Sequence, residues 1–379
     1  LYYQWAIIRT KYADYWNAVW DFRRSYLLFA ENKKKYPNFT SQNAFWGSQQ
    51  AIVSTIPSGY KWVSSILGLN GNMKSGMSLI ENQCKSPQRA FKEEAYIIHI
   101  YLKNYLLNQS EEAYQLIKQY KLDTKSNQLF CFMAANLALN NKKAAETEQI
   151  ITSRKKGNEY MSFPMLDYEL ADAKLRRLDY SAIEDYLRYI KSTQSNFYIK
   201  DALLSISYAY HLQGNEEKAK FYLQKVKING KTDADADKQA QKIAEKGILP
   251  DKDLLRARLL NDGGYHEQAL QILLKKNSKE LVTLSEKLEY HYRLARIYDD
   301  LKQWDKALQY YQITIRDGKN QTDYYAARSA LQAGYIMENQ RHTAQALAYF
   351  EQVIAMENHE YKNSLDQRAK AAINRIKEK

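Results

Sequence analysis

Residues 68–76 read Gly-Leu-Asn-Gly-Asn-Met-Lys-Ser-Gly, three glycines with a lysine and a serine in nine positions. These are the ingredients of a phosphate-cradling loop. Backbone N–H groups wrap the anion, the lysine neutralises it and the hydroxyl holds a metal ion. That chemistry needs the last glycine directly before the lysine, and a buried strand before the loop. Here Lys74-Ser75 precedes Gly76, and the upstream run GYKWVSSILGL has the apolar spacing of an amphipathic helix. The spacing predicts packing instead, with Gly71 at an inter-helix corner and Gly76 where two helices cross. The bulky neighbours expected to need that room are Tyr60 and Trp62. Glycine inside a helix costs roughly 0.5–1 kcal/mol relative to alanine, so a close approach must offset it.

No other reactive constellation forms. The six histidines (99, 211, 266, 291, 342, 359) are scattered and make no HxxxH or HExxH pair, so no metal centre is expected. Cys84 and Cys131 stand 47 positions apart, without a CxxC, and read as small buried apolar residues. Glu93-Glu94 and Glu111-Glu112 fall where helices start, and the helix dipole favours carboxylates there. No GxSxG, no activated-cysteine context and no dinucleotide fingerprint occurs. The chain is expected to be non-enzymatic, with no cofactor and no nucleotide.

The elements that would position such residues are helices. Gly (13) and Pro (5) are scarce among 379 residues, and sustained period-two alternation is absent, which predicts an all-α chain. In 288–317, Leu294, Ala295 and Tyr298 form one apolar stripe, and Trp304, Ala307, Leu308 and Tyr311 a second after a polar corner. The pattern returns at 203–223, with Gly214-Asn215 at the corner. A small residue early in each second helix recurs as Ala18, Gly76, Ala113, Ala145, Ala182, Ala219, Ala269, Ala307 and Ala346. Six of the eight spacings lie between 32 and 39, the period of a helical-hairpin repeat. The two longer gaps leave room for inserted helices, at 41–55 and over ADADKQAQKIAEKGIL, the latter closed by Pro250. Ser86-Pro87 reads as an N-cap followed by a first helical residue. Residues 361–379 read as a polar closing helix.

This pattern resembles the tetratricopeptide repeat (TPR), whose eighth and twentieth positions are small: here Ala295 and Ala307, and Ser207 and Ala219. The implied fold is a right-handed α-solenoid of about nine TPR-like helix-turn-helix repeats, with extra and capping helices. The run TIPSGYKWVSSILGLNGNMKSGMSLI, through Pro57, Lys61, Gly68, Gly71 and Gly76, is similar to repeat proteins of Bacteroides-like bacteria. It is more distantly similar to the inclusion body clearance protein family. The upstream segment, with Trp5, Ala18 and Arg23-Arg24, resembles the same bacterial proteins. The resemblance implies a binding scaffold, and an exported location in periplasm or cell envelope. The chain begins at Leu1 rather than Met, so an upstream signal or longer region is expected. No apolar run approaches the length of a transmembrane helix.

The resemblance also places a partner. In this repeat class certain first-helix positions face a concave groove, and here they fall on Asp201, Leu204, Tyr208, His211 and Leu212, and on Glu289, Tyr292, Arg296, Asp299 and Asp300. Tyr208, His211, Tyr292, Arg296 and Asp299 are the candidate contacts for a protein or peptide. A second candidate rests on charge. Net charge is +13, and residues 1–90 hold 11 Lys/Arg against 4 Asp/Glu together with five of the six tryptophans. Residues 1–90 thus read as a basic, Trp-rich region and 91–379 as the repeat array. The basic region could meet a polyanion, nucleic acid or acidic glycan, although nucleic acid is not the favoured partner. Tyr12, Tyr15, Trp16 and Trp20, at helical spacing, are expected in its core, and Lys33–Lys35 at a helix C-terminus.

Overall fold

The structure, a computed structural model, describes residues 1–56, 61–277 and 280–377. Every regular element among them is helical. Pro57 and Tyr60 lie outside the described residues. The chain divides into two compact units, Leu1–Asp123 and Thr124–Lys379. The charge step at residue 90 falls inside the first.

The first unit contains α1 (Tyr2–Lys11), α2 (Tyr15–Lys35), α3 (Asn43–Ser54), α4 (Lys61–Ile66), α5 (Met73–Lys85), α6 (Lys92–Tyr101) and α7 (Ser110–Gln119). Hairpins form from α1 with α2, α3 with α5, and α6 with α7. Here the structure revises the sequence reading. The helix expected as an insertion at 41–55 is the partner of α5, and the short α4 is the inserted piece. The reason is a glycine pair. A Cβ at Gly76 would stand 2.5 Å from the Gly47 carbonyl oxygen and 2.9 Å from the Ala51 nitrogen. A Cβ at Gly71 would stand 2.5 Å from the Gln50 oxygen. The glycines admit the backbone of α3, and Trp62 is exposed. Lys74 is exposed on the first turn of α5, where Asn72 Oδ1 accepts the Ser75 N–H at 2.8 Å.

Ser86-Pro87 does not start a helix. Ser86 ends α5 in an extended conformation (ψ 143°), as a residue before proline prefers, and α6 begins only at Lys92. Four aromatic residues in and just before α2 also depart from the sequence expectation. Tyr12, Tyr15, Trp16 and Trp20 are exposed, and only Ala18, Ser25 and Tyr26 of α2 are buried. Lys33–Lys35 do form the last turn of α2.

The second unit contains α8 (Gln128–Asn140), α9 (Ala144–Thr152), α10 (Met165–Leu175), α11 (Ala182–Ser192), α12 (Ile199–Leu212), α13 (Glu216–Ile228) and α14 (Asp235–Lys246). It continues with α15 (Lys252–Gly263), α16 (His266–Lys275), α17 (Leu284–Asp300), α18 (Trp304–Gly318), α19 (Tyr325–Asn339), α20 (Thr343–Ala355) and α21 (Lys362–Lys377). The hairpins are α8/α9, α10/α11, α12/α13, α15/α16, α17/α18 and α19/α20, closed by α21. Ala182, Ala219, Ala269, Ala307 and Ala346 are all fully buried at the crossings. In α9 the crossing residue is Ala144, while Ala145 is exposed, one position from the expected register. Hydroxyls add tethers across two crossings: Ser207 Oγ donates to the Ala219 oxygen (2.6 Å) and Thr147 Oγ1 to the Ala135 oxygen (3.2 Å).

One corner geometry recurs. Lys142, Leu178, Gly214, Gly264, Lys302 and Arg341 end their first helices with φ between 58° and 92°. Only two of these six are glycine, so the corner is nearly invisible in composition. The inserted α14 has a clear task. Buried Asp237 accepts the Tyr198 N–H (2.6 Å) and the Asp201 N–H (3.1 Å), capping the start of α12 from a separate helix.

Candidate functional site

The first helices α8, α10, α12, α15, α17 and α19 lie side by side in the second unit. Their common face carries the residues that the sequence assigns to a groove. The structure places these residues in a network of the chain's own making. Tyr208, His211 and Tyr292 are buried, and Arg296 and Asp299 each keep 20% of their side-chain exposure.

Each has definite partners. The Arg258 guanidinium stands over the Tyr208 ring at 5.3 Å. His211 uses both ring nitrogens, Nδ1 with Glu216 at 2.8 Å and Nε2 with the Pro250 oxygen at 3.0 Å. It ties α12 to α13 and to the chain entering α15. Tyr292 packs edge-on to Tyr324 (5.9 Å) and against Tyr325 (5.4 Å). Arg296 faces Asp299 at 3.8 Å, and Asp299 accepts the Tyr311 hydroxyl at 3.0 Å. Beside them Arg293 pairs with Glu289 at 2.8 Å.

Closure of the face comes from the hairpin corners. Lys142, after α8, pairs with Asp300 at the end of α17, 158 residues away. Asn261 Nδ2 donates to the same carboxylate at 2.8 Å. Arg176 donates to the Leu139 and Asp262 carbonyl oxygens, each at 3.1 Å, and pairs with Asp172 at 2.8 Å. Gly263 and Gly264 permit this convergence. A Cβ on the first would stand 2.7 Å from the Arg176 oxygen, and one on the second would strike the Lys142 oxygen. Corners from the first, second, fourth and fifth hairpins of this unit therefore meet.

Burial has electrostatic consequences. Glu169, 4% exposed, is pushed up to about 7 by desolvation, against the opposing Asn136 Nδ2–H donated at 2.7 Å. Asp201 is pushed up to about 6 by desolvation, against the Tyr168 hydroxyl donated at 2.5 Å. Arg296 is raised above the ordinary arginine range: desolvation opposes the charge, and the surrounding tyrosines and carboxylates outweigh it. The face is thus an alternation of guanidinium, phenol and carboxylate.

Arg258, Arg293, Tyr325, Arg328 and Tyr335 belong to this face and were not singled out in the sequence. The register contains most of them. Arg296 lies eleven residues before Ala307, and the same step back from Ala269 and Ala346 lands on Arg258 and Tyr335. Glu289 lies eighteen before Ala307, and that step from Ala346 lands on Arg328.

The first unit offers a different surface. Asp14 and Asp21 pair with Arg9, and Glu31 with Lys35. Arg23 and Arg24 have no carboxylate partner among the described residues; Arg24 stacks on Tyr2 at 4.2 Å, and Arg23 donates to the Leu67 oxygen at 2.9 Å. A cleft of about 560 Å³ opens between α1, α2 and α3, walled by Ala6, Ile7, Val19, Phe22, Val53 and Leu69. Cys84 and Cys131 are buried free thiols whose ionisation burial disfavours, Cys131 being pushed up to about 11. No group of three or more His, Cys, Asp or Glu is placed to hold a metal, and no helix is long and apolar enough to cross a membrane, among the described residues.

Comparison with known proteins bears on the fold. Residues 201–229 and 289–317 match the family described as tetratricopeptide repeat. These are α12/α13 and α17/α18, the hairpins with the clearest stripes. No curated protein matches the chain. Among solved structures, the crystal structure of the APC/C hetero-tetramer Cut9-Hcn1 is similar over 99% of this chain and 75% of that one. The identity is 11% and the TM-score 0.27. The chain is an all-α array of helical hairpins, two of which carry the tetratricopeptide pattern.

Proposed function

We propose that this protein is a non-enzymatic scaffold that binds a peptide or protein partner along the first-helix face of its second unit. The observation that carries the reading is the row Arg258, Arg293, Arg296, Asp299 and Asp300. These side chains are part-buried and stand among the buried tyrosines Tyr208, Tyr292 and Tyr325. Arginine and tyrosine held by their neighbours lose little freedom on binding, which is what interface anchors need. Tyr208 and His211 belong to the supporting layer, and contact falls to the rim. The test is site-specific photocrosslinking in cells of the source organism. A photoreactive residue at Arg296 or Asp299 should capture a partner that the same residue at exposed Lys220 or Lys306 does not. Equal capture from both faces, or from neither, would sink the reading.

A second reading follows from Arg23 and Arg24, which no carboxylate balances among the described residues of the first unit. A polyanion held there should be retained on heparin resin and released as salt rises, through counterion release. Retention unchanged by Arg23→Gln/Arg24→Gln would remove it.

A further inference from the structure

The first unit carries an apolar surface on its outside. In α2 the residues buried within the unit are Ala18, Ser25 and Tyr26. A helix buried along one face normally turns a polar face to solvent. On α2 the outward stripe is instead aromatic, aliphatic and cationic. At 3.6 residues per turn, Trp16, Val19, Trp20, Arg23, Arg24 and Leu27 fall within an arc of about 140°, opposite Ala18 and Ser25. Trp16 is 73% exposed and Trp20 45%. Contacts join the stripe. Trp16 and Trp20 meet edge to face with ring centroids 6.0 Å apart, and the Arg23 guanidinium lies over the Trp20 ring at 5.9 Å. Trp20, Arg23, Arg24, Leu27 and Leu28 line one recess. Single exposed apolar residues are ordinary, whereas a joined patch of them marks an interaction surface.

The stripe borders the cleft between α1, α2 and α3. Ile7, Tyr15 and Val19 stand on the cleft wall and are themselves exposed, so the cleft is open. Val19 also belongs to the stripe, and Arg23 Nε donates at 2.9 Å to the oxygen of Leu67, which lines the cleft. Cations thus stand at the edge of a hydrocarbon-walled space. No charged side chain lines it among the described residues. Its Tyr3 hydroxyl is bonded to Ser48 Oγ at 2.9 Å, and its Thr10 hydroxyl donates to the Ala6 oxygen at 2.8 Å. The charge left over along this edge is positive. Residues 1–35 hold seven Lys/Arg against three Asp/Glu, and Asp14, Asp21 and Glu31 are each paired with Arg9 or Lys35.

These features select the occupant. A peptide entering the cleft would bury N–H and C=O groups against a wall that offers them little to bond, which is costly. An acyl chain has no such groups. Tryptophan, tyrosine and arginine on one exposed helical face match the boundary between lipid headgroups and chains, where amphipathic rings settle. We propose that α1 and α2 form a docking surface for an anionic lipid bilayer. Trp16 and Trp20 enter the headgroup layer, Arg23 and Arg24 meet lipid phosphates, and the cleft takes one acyl chain. The unit lies on the bilayer; no described helix is long and apolar enough to cross it. The proposal goes beyond the polyanion reading of Arg23 and Arg24, because it needs the aromatic stripe as well as the charge.

The experiment is vesicle flotation with the full chain. Vesicles of phosphatidylcholine alone are compared with vesicles carrying about one quarter phosphatidylglycerol. The chain should float with the anionic vesicles and not with the neutral ones, and flotation should fall as salt rises. Five of the six tryptophans lie in residues 1–90, so tryptophan emission should shift to the blue on binding, and lipids brominated in the acyl chain should quench it. Trp16→Ser/Trp20→Ser should weaken anionic-vesicle binding about tenfold or more and leave the urea midpoint unchanged, since both rings are exposed. Arg23→Gln/Arg24→Gln should weaken binding by a similar factor. A phosphatidylglycerol with a photoreactive group in its acyl chain should label α3, through Ile52 and Val53. No flotation with anionic vesicles, equal flotation with neutral ones, or flotation unchanged in the tryptophan variant overturns the proposal. Vesicle binding that heparin competes away and the tryptophan variant keeps marks a polyanion site and overturns the lipid. Concentration-dependent dimerisation that the tryptophan variant abolishes makes a second copy the occupant and also overturns it. Labelling confined to α2 overturns the acyl seat in the cleft. The polyanion reading is judged separately, since heparin retention should survive Trp16→Ser/Trp20→Ser.

Discussion

Replacing Glu169 by glutamine should change how the stability of the second unit depends on pH. Glu169 is 4% exposed and accepts one hydrogen bond, from Asn136 at 2.7 Å. Its folded value is about 7, against 4.5 for the free side chain. A raised carboxylate binds more protons folded than unfolded between those values, so its contribution to stability falls as pH rises through the window from 4.5 to 7. The gap between those two values corresponds to roughly 3 kcal/mol in all, of which about 2.5 kcal/mol is expressed between pH 5 and pH 8. A glutamine side chain in its place would be neutral throughout and could still accept the Asn136 N–H. The variant should therefore match the parent near pH 5 and exceed it by about 2–3 kcal/mol at pH 8. The assay is urea unfolding from pH 5 to 8, read as variant minus parent at each pH. The difference matters because buried His99 and half-buried His266 and His291 act oppositely. Their values are lowered by desolvation, so they cost stability as pH falls below about 6.5, and subtraction cancels them. Asp201→Asn should behave like Glu169→Gln with its window centred lower, since Asp201 sits at about 6. A difference that stays flat from pH 5 to 8 would refute the assignment of Glu169 as a desolvated carboxylate.

Three further outcomes follow from the packing. Gly76→Ala should cost the first unit about 3 kcal/mol or more by urea unfolding, because its Cβ meets the Gly47 oxygen, whereas Lys74→Ala should stay within about 0.5 kcal/mol. Asp237→Ala should cost about 2 kcal/mol, since it removes both acceptors at the start of α12, and α12 amides should exchange faster with solvent. Lys302→Gly should raise the urea midpoint, stabilising by about 0.5–1 kcal/mol, because φ is 58° there and glycine already fills the same corner at 214 and 264.

The sequence shows the hairpins because a crossing admits only a small residue, and burial of Ala219, Ala269 and Ala307 follows from that rule alone. It does not show which helix crosses α5. Two candidates precede Gly76, and only the matching gap at Gly47 selects between them, a pairing that periodicity does not encode. The corner register is hidden for a related reason. Leu178, Lys302 and Arg341 adopt the conformation that composition assigns to glycine, because the flanking helices determine it. Trp16 and Trp20 sit at helical spacing, but spacing fixes a face and not what lies opposite, and on α2 both rings are exposed.

The same distinction governs the candidate site. Position within the repeat puts Tyr208 on α12 and Tyr292 and Arg296 on α17, first helices with α15 between them. Whether the first-helix face is open depends on contacts between corners far apart in sequence, above all Lys142 with Asp300 and Arg176 with the Asp262 oxygen. Those contacts bury Tyr208, His211 and Tyr292 and leave Arg296 and Asp299 part-buried. The tyrosine content gains a physical reason from this arrangement. A phenol buried between guanidiniums and carboxylates fills volume like an apolar residue and satisfies a charge with its hydroxyl, as Tyr168 does for Asp201 and Tyr311 for Asp299.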